Sequence, residues 1–141
     1  MGYGDRLFWL SVLIQRRYAQ ICAEHDLTPT QATLLCAIKD EPRRMTDLAA
    51  SLGMTKNALS QLVDRTERRD LVSRTTSEQD RRAITLGVTA TGKVLAEAIY
   101  AETDRLLPDI AEGLGPEDRR EFERTVTAVV DASGVSASSS S

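Results

Sequence analysis

At 141 residues, 41% hydrophobic and 28% charged, the chain has the length of one domain with an oligomerising extension and a folded protein's composition, which excludes wholesale disorder. Two cysteines and one histidine exclude a disulfide framework and a Cys/His structural zinc site, and the longest apolar run, residues 7–14, is too short to span a bilayer. The net charge of −3 divides into +3 for residues 43–82 and −6 for the rest, a basic middle suited to a polyanion inside an acidic frame.

The first helix is expected over residues 5–24. Leu7, Leu10, Ile14, Tyr18 and Ile21 recur at helical steps, and Phe8, Val12 and Leu13 widen the stripe. A helix apolar over so much of its girth is buried on more than one side, which points to a subunit interface. Thr28, Pro29 and Gln31 form a capping box that opens a second helix, with Ala32, Leu35, Cys36 and Ile38 on its core face, ending before Glu41-Pro42. Thr46 is expected to cap a short helix over residues 47–52, which Gly53 ends, and Thr55 to cap another from Lys56 to Arg69. Residues 71–76 and 83–88 read as strands joined by a polar loop over residues 77–82. Thr89 opens a long helix with Val94, Leu95, Ala98, Ile99, Leu106, Leu107, Ile110 and Ala111 in its stripe, and Pro108 should kink or end it. Gly115-Pro116 starts the last helix, with Phe122, Val126, Val129 and Val130 on one face, and residues 133–141 read as a disordered tail.

The informative stretch is residues 46–62. Leu48-Ala49, Gly53, Leu59 and Leu62 have the spacing of a helix-turn-helix, in which Ala49 admits a close crossing, Gly53 supplies a left-handed turn, and the leucines pin the second helix. At about 100° per residue, Leu59, Leu62, Val63 and Thr66 share one side of that helix. Asn57, Gln61 and Arg68 fall opposite, flanked by Ser60 and Arg65. Asn and Gln can bond adenine bidentately, Ser is a short adaptable donor, and Lys56 and Arg65 suit phosphate or guanine. Asp64, also outward, is expected to orient Arg68 four residues on. The strand, basic loop and strand that follow complete a winged helix-turn-helix. With aromatics at only 4%, an RNA-stacking surface has nothing to be built from.

The whole arrangement resembles the MarR family of bacterial transcription regulators over about residues 5–131. The carrying residues are Leu48-Ala49-Ala50-Ser51-Leu52-Gly53, Leu62-Val63-Asp64-Arg65 with Glu67, Leu71-Val72-Ser73-Arg74, Asp80-Arg81-Arg82-Ala83 and Thr89-Ala90-Thr91-Gly92. The resemblance implies a mainly α fold with a small β-wing, in a single unit of residues 1–132. Residues 28–90 would be the DNA-binding winged domain, with 5–27 and 91–132 as the helical dimerisation region. It implies a homodimer on palindromic double-stranded operator DNA, acting as a repressor released by a small aromatic or lipophilic effector. By position, Lys56, Asn57, Ser60, Gln61 and Arg65 match the recognition helix. Arg82 matches the wing arginine, Asp80 its fixing partner, and Arg81 a second groove or phosphate contact. Three departures stand out: Asp70 where glycine is usual, Thr66 in place of a leucine, which should loosen the core side, and Glu78-Gln79 at the wing entry.

No nucleophile–base constellation or phosphate-cradling glycine loop is present, so no enzyme, cofactor or metal is expected. The protein is expected in the cytoplasm, with no membrane partner. The alternatives are a winged-helix protein-interaction module, or a redox- or metal-sensing regulator of the same fold using Cys22, His25 or Cys36. An effector cleft is expected where the first and long helices meet the winged domain, lined by Trp9, Leu13, Arg16, Arg17, Leu34 and Ile38, the arginines pairing an aromatic carboxylate.

Overall fold

The computed structural model describes residues 1–76, 79, 80 and 82–135. Their order is α1 (Tyr3–Ala23), α2 (Pro29–Ile38), β1 (Arg43–Arg44), α3 (Met45–Leu52), α4 (Lys56–Arg68), β2 (Val72–Thr76), β3 (Ile84–Val88), α5 (Ala90–Leu106), a 3-10 turn (Leu107–Ala111) and α6 (Pro116–Ser133). The fold is mainly helical with a small antiparallel sheet, as the sequence implied.

The α2 capping box forms as read. Gln31 N–H donates to Thr28 Oγ1 (3.2 Å), and Thr28 N–H donates to Gln31 Oε1 (3.1 Å). Thr46 is not a cap: α3 starts at Met45 with Arg44 in the capping position and no side-chain hydrogen bond. The cause is β1, which leads the chain directly into the helix. β1 joins the sheet edge in the order β1-β3-β2, with Arg43 opposite Leu86 and Arg44 opposite Thr85. Pro108 acts as read, since α5 gives way to the 3-10 turn there. At the other end, α6 runs on through Ser133 and stops at Gly134, whose φ of 73° is left-handed. The expected tail therefore loses its first residue to the helix, and residues 136–141 lie outside the described residues.

One core serves the winged half. Leu34, Leu35 and Ile38 of α2 meet Leu48 and Ala49 of α3, Leu59, Leu62 and Val63 of α4, Val72 and Leu86 of the sheet, and Ala96 and Ile99 of α5. Val94, placed in the α5 stripe by its spacing, is instead 70% exposed, and Ala96 takes the core position. Gly92 explains why α5 can start where it does. A Cβ there would lie 1.9 Å from the Leu71 carbonyl oxygen, so the helix reaches the sheet only without a side chain.

Candidate nucleic-acid interface

α4 is built to show one polar face. Thr55 Oγ1 accepts the Ala58 N–H (3.1 Å) at its start, which satisfies one of the free donors there. Gly53, at φ 64°, ends α3 and turns the chain, with the Met54 N–H returning to the Ala49 carbonyl (2.9 Å). Leu59, Leu62, Val63 and Thr66 are all buried, so the rotation of α4 about its axis is fixed. Thr66 is fully buried on this side, and its hydroxyl donates to the Leu62 carbonyl (2.7 Å), so the smaller side chain leaves no unmet polar group.

That rotation leaves Lys56, Asn57, Gln61 and Arg65 exposed, with Ser60 half-buried beside them. Among the described residues, none of the five uses its side chain in an intramolecular hydrogen bond or ion pair. Five free polar groups on one convex face are what base edges and phosphates in a major groove require. Asp64 does orient an arginine, but not Arg68. Its carboxylate pairs with Arg74 of β2, while Arg68 Nε donates to the Asp64 backbone carbonyl (3.3 Å). The Asp64–Arg74 pair thus ties α4 to the wing.

In the wing, β2 and β3 pair from Val72 opposite Val88 to Thr76 opposite Ile84. Asp80 Oδ1 accepts the backbone N–H of Arg82 (3.0 Å), so this carboxylate fixes the loop's main chain. Arg82 is exposed at the base of β3. Arg81 lies outside the described residues.

The MarR family model matches residues 25–83, the helix-turn-helix and most of the wing. Over these residues the chain is similar to the MarR family. It is 32% identical over 91 residues to the HTH-type transcriptional regulator SarZ of Staphylococcus aureus, covering 63% of this chain and 62% of that protein. Its fold matches wild-type MarR in its apo form from E. coli, with a TM-score of 0.84 at 19% identity over 92% of this chain and 97% of that one. It also matches MepR in the S. aureus MepR–DNA complex, with a TM-score of 0.72 at 24% identity over 94% and 98%. Against curated relatives the matched stretches span 57 to 67% of their lengths. These relatives are transcription regulators, not enzymes.

Among the described residues, two of the clefts of this MarR-type fold bear on the expected effector site. The larger, about 590 Å³, sits at the expected junction, but its walls are Tyr18, Cys36, Leu52, Tyr100, Thr103 and Arg43 among others, and none of the six expected residues. Leu34 and Ile38 are fully buried in the core and cannot line it. Trp9 is 53% exposed on the outer side of α1 and touches neither cleft. The smaller cleft, about 320 Å³, holds Leu13, Arg16 and Arg17 with Gln20, Asp109, Ile110 and Glu112. Arg17 is already engaged there. Its Nε lies 2.9 and 3.0 Å from the two Asp109 carboxylate oxygens, and its Nη1 donates to Gln20 (3.2 Å). Among the described residues no cluster could hold a metal ion. In the larger cleft, burial pushes the Tyr18 phenol up to about 12, and burial also pushes the Cys36 thiol and its neighbour Cys22 up. Protonated thiols are poor nucleophiles, and burial favours that form in both cysteines. No described helix is long and apolar enough to cross a membrane.

Proposed function

We propose that this chain is a homodimeric, sequence-specific double-stranded DNA-binding transcription regulator, a repressor that a small effector releases from its operator. The observation that carries the reading is α4, whose inward face is wholly buried while Lys56, Asn57, Gln61 and Arg65 stand exposed without intramolecular partners. Ser60 joins them in the major groove, and Arg82, with Arg81, enters the flanking minor groove from the wing. The MepR–DNA complex supports this use of the fold.

Support for the dimer comes from the two ends of the chain. α6 has no buried residue over its 18 positions and barely touches the rest of its own chain. An isolated helix of that length is marginal in water, so its apolar face needs a partner surface. Phe8 and Trp9 on α1 and Val126, Val129 and Val130 on α6 supply matching exposed faces. Half-sites would then lie about one helical turn apart, ~10 bp.

Support for an effector comes from the larger cleft, which bridges α1 and α5 of the frame to α2 and α3 of the winged half and has the size of a small-molecule site. A ligand there releases DNA only by binding the DNA-incompetent arrangement more tightly. An aromatic carboxylate would meet Arg43 in this cleft, or Arg16 in the smaller one, since Arg17 is held by Asp109.

The deciding experiment selects duplexes from a randomised pool with the full-length protein, then titrates the enriched duplex against salt. An enriched pseudo-palindrome bound with a steep salt slope is expected. Recovery of no sequence, with no salt-dependent duplex binding, would favour a protein-interaction module instead.

A further inference from the structure

Two helix ends in this chain are built alike. α1 closes on His25-Asp26-Leu27, and α4 closes on Arg69-Asp70-Leu71. In each, the aspartate takes the left-handed conformation, at φ 54° and 58°. The following leucine N–H returns to the carbonyl five residues back, Leu27 to Cys22 (3.1 Å) and Leu71 to Thr66 (3.3 Å). Both leucines are buried. These doubly bonded ends are stiff, because their carbonyls and the next side chain are all committed.

The two ends are also joined to each other. Arg69, in the C-cap position of α4, donates through Nη1 to the backbone carbonyl of Asp26. The α1 end is in turn held to α5 by His25 Nε2 and Glu102 Oε2, 2.9 Å apart and partly buried. Two bonds at one point, from Thr89 Oγ1 to the Asp70 carbonyl (2.7 Å) and from the Thr89 N–H to the Leu71 carbonyl (3.1 Å), hold the end of α4 to the start of α5. Attachment at one point leaves a pivot. A second attachment, reaching α5 three turns further along, removes it.

We propose that Arg69 and the His25–Glu102 pair are positioning residues that fix the attitude of α4 against the helical frame. They thereby set the separation of the two recognition helices in the dimer. The inference rests on the dimeric DNA-binding reading for its consequence, and on the chain alone for its mechanical part.

Both parts are tested on the full-length protein. Without DNA, amide hydrogen exchange is followed at residues 66–71 in wild type, Arg69→Gln, Glu102→Ala and the control Glu97→Ala, which removes an α5 carboxylate whose ion pair among the described residues is with its neighbour Lys93. Exchange at the α4 end should rise by about fivefold or more in the first two variants, stay unchanged in the control, and remain unchanged in α2 of all of them. With DNA, each protein is titrated with the duplex selected by wild type and with the same duplex carrying one extra base pair between half-sites. Wild type should discriminate strongly. Arg69→Gln and Glu102→Ala should lose about fivefold or more of that ratio, and Arg69→Lys, which keeps a donor, should recover most of it. Glu102→Ala removes no cation, so its effect cannot be a lost phosphate contact. Unchanged exchange at the α4 end, or a lowered melting temperature with the spacing ratio intact, would overturn the inference. If wild type selects no duplex, the functional reading fails, and the exchange experiment still decides whether the tie holds α4.

Discussion

α4 and α6 are both long, amphipathic helices, and the chain treats them in opposite ways. α4 buries Leu59, Leu62, Val63 and Thr66 completely and turns a polar face outward. α6 buries nothing and turns Val126, Val129 and Val130 outward. The first is finished by its own chain, so what it exposes is free for a polar partner. The second is unfinished, so what it exposes is the cost of remaining alone. In the proposed reading, an outward residue on α4 therefore serves recognition, and one on α6 serves assembly.

The largest effect should come from breaking assembly. A double variant, Trp9→Glu with Val129→Glu, places charges on both unfinished faces. Sedimentation should show monomers, and affinity for the selected duplex should fall by roughly a hundredfold or more, because the second half-site is no longer linked to the first. A variant that stays dimeric would mean that these faces do not carry the subunit interface. The matching change on α4, Gln61→Glu, should leave the dimer intact.

Next in size is the joint between the halves. Gly92→Ala forces a methyl group onto the Leu71 carbonyl, a backbone atom with no room to yield. A loss of about 3 kcal/mol is expected, at the upper end for overpacking, read from urea midpoints. A loss under about 0.5 kcal/mol, the size of an ordinary surface change, would show that α5 can shift away from the sheet at little cost.

Recognition itself comes third. Asn57→Ala and Gln61→Ala should each cost roughly 1–3 kcal/mol on the selected duplex and little on random duplex. Equal losses on both would remove these side chains from base readout and leave α4 as a phosphate-binding surface only.

How much of this was legible in the sequence follows from range. The α2 capping box, the Gly53 turn and the inward face of α4 depend on residues within four positions of each other, and all appear as read. Asp70, noted where glycine is usual, takes the left-handed conformation that aspartate tolerates. Features set by distant segments were not readable. β1 is two residues long and exists only because β3 lies beside it, so no alternation could announce it. Asp64 has an arginine four positions on within its own helix, yet pairs with Arg74, which only the return of β2 brings near. Arg17 looked available for a carboxylate until the chain brought Asp109 back across it. The outward face of α4, by contrast, was visible in full, because a helix pinned by four buried residues has one rotation.

The smallest effect expected is the one that separates the wing from α4. Arg82 is exposed beside the Asp80 turn, just before β3. A narrow groove attracts a guanidinium by its potential, not by a donor and acceptor code. Arg82→Ala should therefore weaken binding to selected and random duplex alike, and lower the salt slope by about one unit. Gln61→Ala, which removes no charge, should leave the slope unchanged while changing sequence preference. Titrations of both variants between low and moderate salt make the contrast direct. Parallel slopes for Arg82→Ala and wild type would mean that the arginine neutralises no phosphate. Binding would then rest on α4 alone, and the wing would serve only as the anchor that Asp64 and Arg74 make of it.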